Sequence, residues 1–170
     1  MKLTGKVWKY GDDVNTDLIF PGKFTYTLMS EEEMGVHALE DLDADFTQNA
    51  KPGDIIVAGK NWGGGSSREQ AVKCLKARGI NAIIAKSVAR IYYRNALNEG
   101  LATIACHAAV EAIKAGEHIT IDLAKNTIST AAGEFSFPAY PAFVKGLIED
   151  GGLIPHIQNN LKSQGKIKTK

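Results

Sequence analysis

Cysteine is scarce in this 170-residue chain: Cys74 and Cys106 are the only two, and neither sits in a C-x-x-C pattern. Two thiols fall short of the three or four that normally hold an iron–sulfur cluster, and both read as buried core residues. The four histidines, His37, His107, His118 and His156, are scattered and form no H-x-x-x-H pair, so no metal site is expected within the chain. No apolar run approaches the roughly 18 residues of a membrane span. The N-terminus has no signal-like apolar core, which predicts a cytoplasmic protein with no membrane contact. Charge of either sign is not in excess: 20 basic residues against 19 acidic ones give a net charge of +1. With no basic stripe, no interleaved aromatics and no zinc-finger spacing, nucleic acid is not an expected partner.

What the chain does have is a dense stretch from Asp54 to Gly79. It opens with Ile55-Ile56-Val57-Ala58, the length and β-branched content of a buried strand, and closes with Ala71, Val72, Cys74 and Leu75 on one side of an amphipathic segment. Between them lie Gly63, Gly64 and Gly65, which can turn sharply and let a ligand approach the backbone. Ser66 and Glu69 have the spacing of a capping box, which predicts a helix beginning at Ser67. Such a helix aims its first free N–H groups and its positive dipole end at the glycine turn, a ready site for an anion. An isolated S-x-x-E is most often only a helix cap. A cap, however, needs neither three glycines nor a second hydroxyl at Ser67. Nor does it need a guanidinium at Arg68, which opposes the dipole unless an anion neutralises it. The phosphate-loop pattern G-x-x-x-x-G-K-S/T is absent, because Gly65 precedes Ser66 rather than lysine. The G-x-S-x-G elbow of hydrolases is absent too, because arginine stands where its last glycine belongs.

The run Asn61-Trp62-Gly63-Gly64-Gly65-Ser66-Ser67-Arg68-Glu69 is followed by Ala85-Lys86-Ser87-Val88-Ala89-Arg90-Ile91 and Asn95-Ala96-Leu97-Asn98-Glu99-Gly100-Leu101. Upstream stands Tyr10-Gly11-Asp12-Asp13-Val14-Asn15-Thr16-Asp17. In this order the motifs resemble the swivel domain of the aconitase superfamily, over most of the chain from Gly5 to about Pro155. At this length the chain is most similar to the separate small subunits of that superfamily's 3-isopropylmalate dehydratases and homoaconitases. The resemblance implies an α/β fold, the swivelling β/β/α domain, with a mostly parallel central sheet.

Length and composition suit one domain with a sizeable core, taken here as residues 1–162, with 163–170 as a disordered basic tail. In chain order, Lys2 to Tyr10 reads as a strand broken by Gly11-Asp12-Asp13. Val14 to Phe20 and Lys23 to Met29 show no clear period, and Asp13 and Asp17 read from the residues as turn formers. A helix begins after Ser30, whose side chain can cap Glu31-Glu32-Glu33. Ala82 to Ala85 is a strand, Ala89 to Asn98 a helix ending at Gly100, and Thr103 to Cys106 a strand. That alternation predicts crossover units in a mainly parallel sheet. From His118 the pattern changes to period two, with strands at Ile119 to Leu123, Asn126 to Thr130 and Glu134 to Phe137 in an antiparallel, hairpin-like C-terminal region. Phe143 to Ile148 and the segment through Leu161 close the chain as helices.

The resemblance further implies reversible dehydration of a 2-hydroxy di- or tricarboxylate, rehydrated in the isomeric position, by an enzyme active only with a large subunit. In that correspondence Ser66 is the catalytic base, acting as an alkoxide. Ser67, Arg68, Asp17, Thr16 and Tyr26 bind substrate, and Gly63, Gly64 and Gly65 form the anion turn. A 4Fe-4S cluster is expected on the partner large subunit and none on this chain. Many members of the family this chain resembles carry an arginine in the loop after the Pro-Gly turn, here Pro21-Gly22. Here the loop reads Phe24-Thr25-Tyr26-Thr27-Leu28-Met29, which favours an apolar or small substituent on the substrate over an extra carboxylate. Isopropylmalate and leucine biosynthesis are the first expectation, homoaconitase and a methylmalate-type hydratase the near alternatives. A reading of another class is a non-catalytic module that captures an anionic metabolite at the Gly63–Arg68 turn.

Overall fold

In the computed structural model, which describes residues 1–164, all seven strands join in one sheet of order β4-β3-β2-β1-β5-β6-β7. The first strand, β1 (Lys2–Lys9), lies at its centre and serves two partners. Its end, Val7 to Lys9, pairs in parallel with Ile55 to Val57 of β2 (Ile55–Ala58). Its beginning, Lys2 to Lys6, pairs antiparallel with β5 (His118–Asp122). Strands β3 (Ala82–Ala85) and β4 (Ala102–Ala105) continue the parallel half, while β6 (Thr127–Thr130) and β7 (Gly133–Ser136) continue the antiparallel half. The expected combination of a parallel sheet with an antiparallel C-terminal region is therefore what the chain builds.

Alternation along β2 divides the core. Ile56 and Ala58 face one apolar cluster, with Trp8, Phe20, Phe46, Trp62, Leu75 and Tyr92. Ile55 and Val57 face a second, with Ile84, Ile104, Val110, Ile121 and Phe137. Both faces of the parallel strands are covered, as a sheet of crossover units requires.

Eight α-helices pack around the sheet or bridge its loops among the described residues, from α1 (Thr16–Ile19), α2 (Glu31–Val36), α3 (Ala44–Asn49) and α4 (Gln70–Ala77) to α5 (Arg90–Asn98), α6 (His107–Ala112), α7 (Ala142–Asp150) and α8 (Leu153–Ser163), with a 3₁₀ turn at Gly22–Phe24. Ser30 caps α2 as its sequence predicts: its Oγ accepts the Glu33 N–H at 3.2 Å, and Glu33 Oε2 accepts the Ser30 N–H at 2.7 Å. Three short helices have no periodic signature. Asn15 caps α1 by accepting from Asp17 and Leu18, Asp43 caps α3 by accepting from Asp45 and Phe46, and α6 buries only Ala109 and Val110. Helix α7 runs longer than its apolar residues suggest and ends on Gly151 in the left-handed region. Of the tail 163–170, Ser163 still belongs to α8, and residues 165–170 lie outside the described residues.

Candidate active site

The loops that leave β1, β2 and β3 converge at the carboxyl ends of the parallel strands, where ligands of α/β sheets bind. They are knitted by backbone hydrogen bonds. Gly63 N–H donates to Val14 O at 2.8 Å and Thr16 N–H to Gly64 O at 2.9 Å, which ties the β1 loop to the glycine turn. Trp62 N–H donates to Ser87 O at 3.1 Å and Ala89 N–H to Trp62 O at 2.9 Å, which ties in the β3 loop. Side chains reinforce the join: Asn61 Nδ2 donates to Asp13 Oδ1 at 2.9 Å, and Asn61 N–H to Ser87 Oγ at 2.8 Å. Asp13 is a turn residue, at φ 57°, whereas Asp17 lies inside α1.

Two of the three glycines in the turn are there for conformation as well as space. Gly63 has φ 75°, and a Cβ on it would lie 2.2 Å from Cγ of Tyr92. Gly65 has φ 97°, with Thr16 Oγ1 3.3 Å from where its Cβ would be. Beneath the turn, Trp62 is fully buried and meets the Tyr92 ring edge-on, with centroids 6.3 Å apart. Burial pushes the Tyr92 phenol up, so it stays protonated and donates to Ala71 O at 3.2 Å. The loop is thus held by a rigid floor.

The capping box expected at Ser66 and Glu69 does not form. Helix α4 starts at Gln70, with Glu69 as its N-cap and no side-chain cap hydrogen bond. Ser66 and Ser67 precede it as exposed loop residues. The reason lies in Arg68. A helix from Ser67 would turn its side chain outward, whereas the structure buries it to 9% exposure. Nη1 donates to Asp17 Oδ1 at 2.6 Å and to Thr25 Oγ1 at 3.1 Å, and Nη2 donates to the Phe20 carbonyl. The anion that neutralises Arg68 is therefore Asp17, whose own side chain is 64% exposed. Arg68 Nε is buried without a partner.

Above this buried cation, the backbone N–H groups of Gly65, Ser66, Ser67, Arg68 and Glu69 donate to no acceptor among the described residues, and the Ser66 and Ser67 hydroxyls are likewise unpaired. Five successive donors without a protein acceptor follow one another on this turn beside a buried guanidinium, and backbone donors of this kind bind anions where they converge. Such donors also favour the ionised form of a hydroxyl placed among them. Thr16 is buried at 2% exposure with its Oγ1 unpartnered, beside Gly65. Ser67 also lines an open cleft of about 430 Å³ with Met34, Glu69, Gln70, Lys73 and Asn95.

Of the residues singled out from the sequence, the structure brings together Thr16, Asp17, Gly63, Gly64, Gly65 and Arg68, with Ser66 and Ser67 on the same loop. Tyr26 follows Thr25 on the loop after the 3₁₀ turn and makes no side-chain hydrogen bond to them, being 99% exposed, with Leu28 two residues on fully exposed as well. Sequence reading missed Thr25 and the Phe20 carbonyl as partners of Arg68. Nothing in a threonine amid an aperiodic stretch announces that contact.

Among the described residues no three of His, Cys, Asp and Glu converge to hold a metal ion. Cys74 and Cys106 lie in different apolar clusters on opposite sides of the sheet, and burial pushes the Cys74 thiol up. That pair does not fit an iron–sulfur cluster. No helix is long and apolar enough to cross a membrane among the described residues.

Residues 22–109 match the model of the aconitase C-terminal domain. The chain is 44% identical over 161 residues to the 3-isopropylmalate dehydratase small subunit of Clostridium beijerinckii, covering 94% of this chain and 99% of that one. It is 45% identical over 159 residues to the 2,3-dimethylmalate dehydratase small subunit of Eubacterium barkeri, covering 92% and 97%. The crystal structure of a 3-isopropylmalate dehydratase from Methanocaldococcus jannaschii superimposes with a TM-score of 0.90 at 39% identity, covering 98% of this chain and 99% of that one.

Proposed function

Because this chain belongs to the family of the aconitase C-terminal domain, we propose that it is the small subunit of a two-subunit hydro-lyase. Its substrate is a 2-hydroxy dicarboxylate that loses water and regains it in the isomeric position. The observation that carries the reading is the exposed, unpaired Ser66 hydroxyl in a run of free backbone donors on the loop that carries the buried Arg68. Ser66 Oγ takes the proton from the carbon beside a substrate carboxylate. The free N–H groups of the loop stabilise the alkoxide that does so, since an ordinary serine is far from ionised. Ser67 donates a hydrogen bond to substrate. Arg68 supplies the positive charge for a carboxylate through its Nε, which no protein group partners, while Asp17 and Thr25 hold Nη1 and the Phe20 carbonyl holds Nη2. The residues of this chain do not fit a 4Fe-4S cluster, so that group belongs to the large subunit, and the small subunit contributes base, clamp and oxyanion donors.

Two substrates compete. Isopropylmalate, which would place the protein in leucine biosynthesis, is favoured by the several relatives named for that reaction. The dimethylmalate relative is as similar over almost the same span, so a methylated malate is the second reading. Both fit a loop that shows Tyr26 and Leu28 to solvent and carries no arginine. Homocitrate, with a further carboxylate, finds no cationic partner there except Lys23, which is engaged with Glu40 at 2.6 Å. The test is turnover of all three acids by this chain reconstituted with the large subunit of its own source. Preference for isopropylmalate or dimethylmalate is expected, with Tyr26→Arg moving preference toward homocitrate. Hydration or dehydration by the small subunit alone would overturn the two-subunit reading.

A further inference from the structure

Helix α5 breaks three local rules on one exposed face. Its first residue, Arg90, puts a positive charge at the positive end of the helix dipole, and no acidic side chain occupies that first turn. Its N-cap, Ala89, makes no side-chain cap hydrogen bond. Arg94, one turn on, is a like charge at i,i+4, a spacing that destabilises a helix. Both arginines are exposed, and neither forms an ion pair or a hydrogen bond among the described residues. Ile91, one turn before Asn95 on the same side of the helix, is 51% exposed. Such conflicts cluster where a surface is shaped for something other than its own stability.

The position of this face gives it meaning. Tyr92 packs its ring against Gly63, and Asn95 shares a cleft with Ser67, so α5 forms one wall of the loop that bears Ser66. We infer that Arg90, Ile91 and Arg94 form a docking face for an acidic surface of the large subunit. This rests on the functional reading above, in which the site is incomplete until a second chain covers the rim around Ser66. Carboxylates from that chain would neutralise the helix dipole and engage the two guanidinium forks, with Ile91 supplying the dry contact between them.

The inference separates stability from association, because the same substitutions move them in opposite directions. Arg90→Glu/Arg94→Glu puts an acidic residue in the first turn, where the dipole favours it, and exchanges one like-charge pair for another, so the free small subunit is expected to melt at the same or a higher temperature. Its affinity for the large subunit should fall by about 100-fold or more, and wild-type affinity should weaken with added salt. Arg90→Lys/Arg94→Lys retains the charge and is expected to recover most of the binding. Binding is read by titrating large subunit against labelled small subunit, with Ser66→Gly as a control expected to bind normally. If the glutamate variant binds as tightly as wild type, or loses turnover through KM with association unchanged, the docking face is overturned. If the wild-type chain binds no large subunit, the functional reading fails and this inference with it.

Discussion

Arg68 and Asp17, 51 residues apart in sequence, meet with Nη1 2.6 Å from Oδ1, and that contact sets the shape of the glycine–serine loop. It draws the arginine under the turn, delays the start of α4 to Gln70 and leaves Ser66 and Ser67 outside the helix. A buried guanidinium is tolerable there because an ion pair, a hydroxyl and a carbonyl surround it.

Asp17→Asn is expected to cost about 1 kcal/mol, since the carboxylate is largely exposed and the ion pair is screened on that side. Arg68→Lys keeps the charge but cannot span Asp17, Thr25 and the Phe20 carbonyl with one planar fork. Its KM should rise at least several-fold while the fold survives. Urea titration of the free subunit and steady-state kinetics of the reconstituted enzyme check the pair.

Ser66 does not cap a helix, so neither Ser66→Ala nor Ser66→Gly should show the loss of about 0.5–2 kcal/mol that removing a serine cap brings. Both should melt close to wild type and both should be inactive. Turnover of the reconstituted Ser66→Ala enzyme within about tenfold of wild type, about 1.4 kcal/mol in barrier, would remove Ser66 from the mechanism.

Gly63→Ala would place a methyl 2.2 Å from the Tyr92 ring at a backbone angle of φ 75°. Overpacking and left-handed strain together predict a loss of about 3 kcal/mol or more. Thermal melting should show it, and Gly11→Ala, where a Cβ meets nothing within 4 Å, is the matched control.

Asp122 accepts the N–H groups of Ala124 and Lys125 at 3.0 and 3.1 Å in the turn between β5 and β6. The bond from Lys125, then that from Ala124, holds its carboxyl below the ordinary carboxylate range. A depressed folded-state pKa contributes stability that is fully present above the unfolded value of about 3.9 and is lost as pH falls through the folded one. The difference in urea midpoint between wild type and Asp122→Ala should therefore hold steady above about pH 5 and shrink below about pH 4. A gap that stays constant to the lowest pH at which the chain folds would show that the carboxylate's charge contributes nothing.

The legible parts of this fold were those whose signal is local. Ile55–Ala58 and Ala82–Ala85 match their strands residue for residue, because short runs of buried β-branched and small residues leave little choice. Ser30 and Ser66 carry the same four-residue signature, yet only Ser30 caps a helix. What separates them is Arg68, whose partners lie in α1 and beyond it and are invisible in any window around Ser66. Helices α1, α3 and α6 escaped for the same reason: they are held by an Asn or Asp cap, or by tertiary burial of one or two residues, rather than by periodicity. The candidate site loop could be read from its glycines and serines. Its geometry could not, because it depends on Val14, Gly64, Ser87 and Trp62 bonding across three loops.

The central place of β1 constrains the order in which the sheet can be completed. Strand β1 leaves the ribosome ahead of both its partners: it pairs on one side with β2, about 50 residues later, and on the other with His118–Asp122. Until that second partner has been synthesised, half of β1 is an open edge. Closing so long a loop is entropically slow, and an unpaired edge in a nascent chain invites pairing with other chains. Fragments ending just before His118 should therefore aggregate or fail to protect the amides of Lys2 to Lys6 from exchange, whereas fragments that extend through Phe137 should protect them.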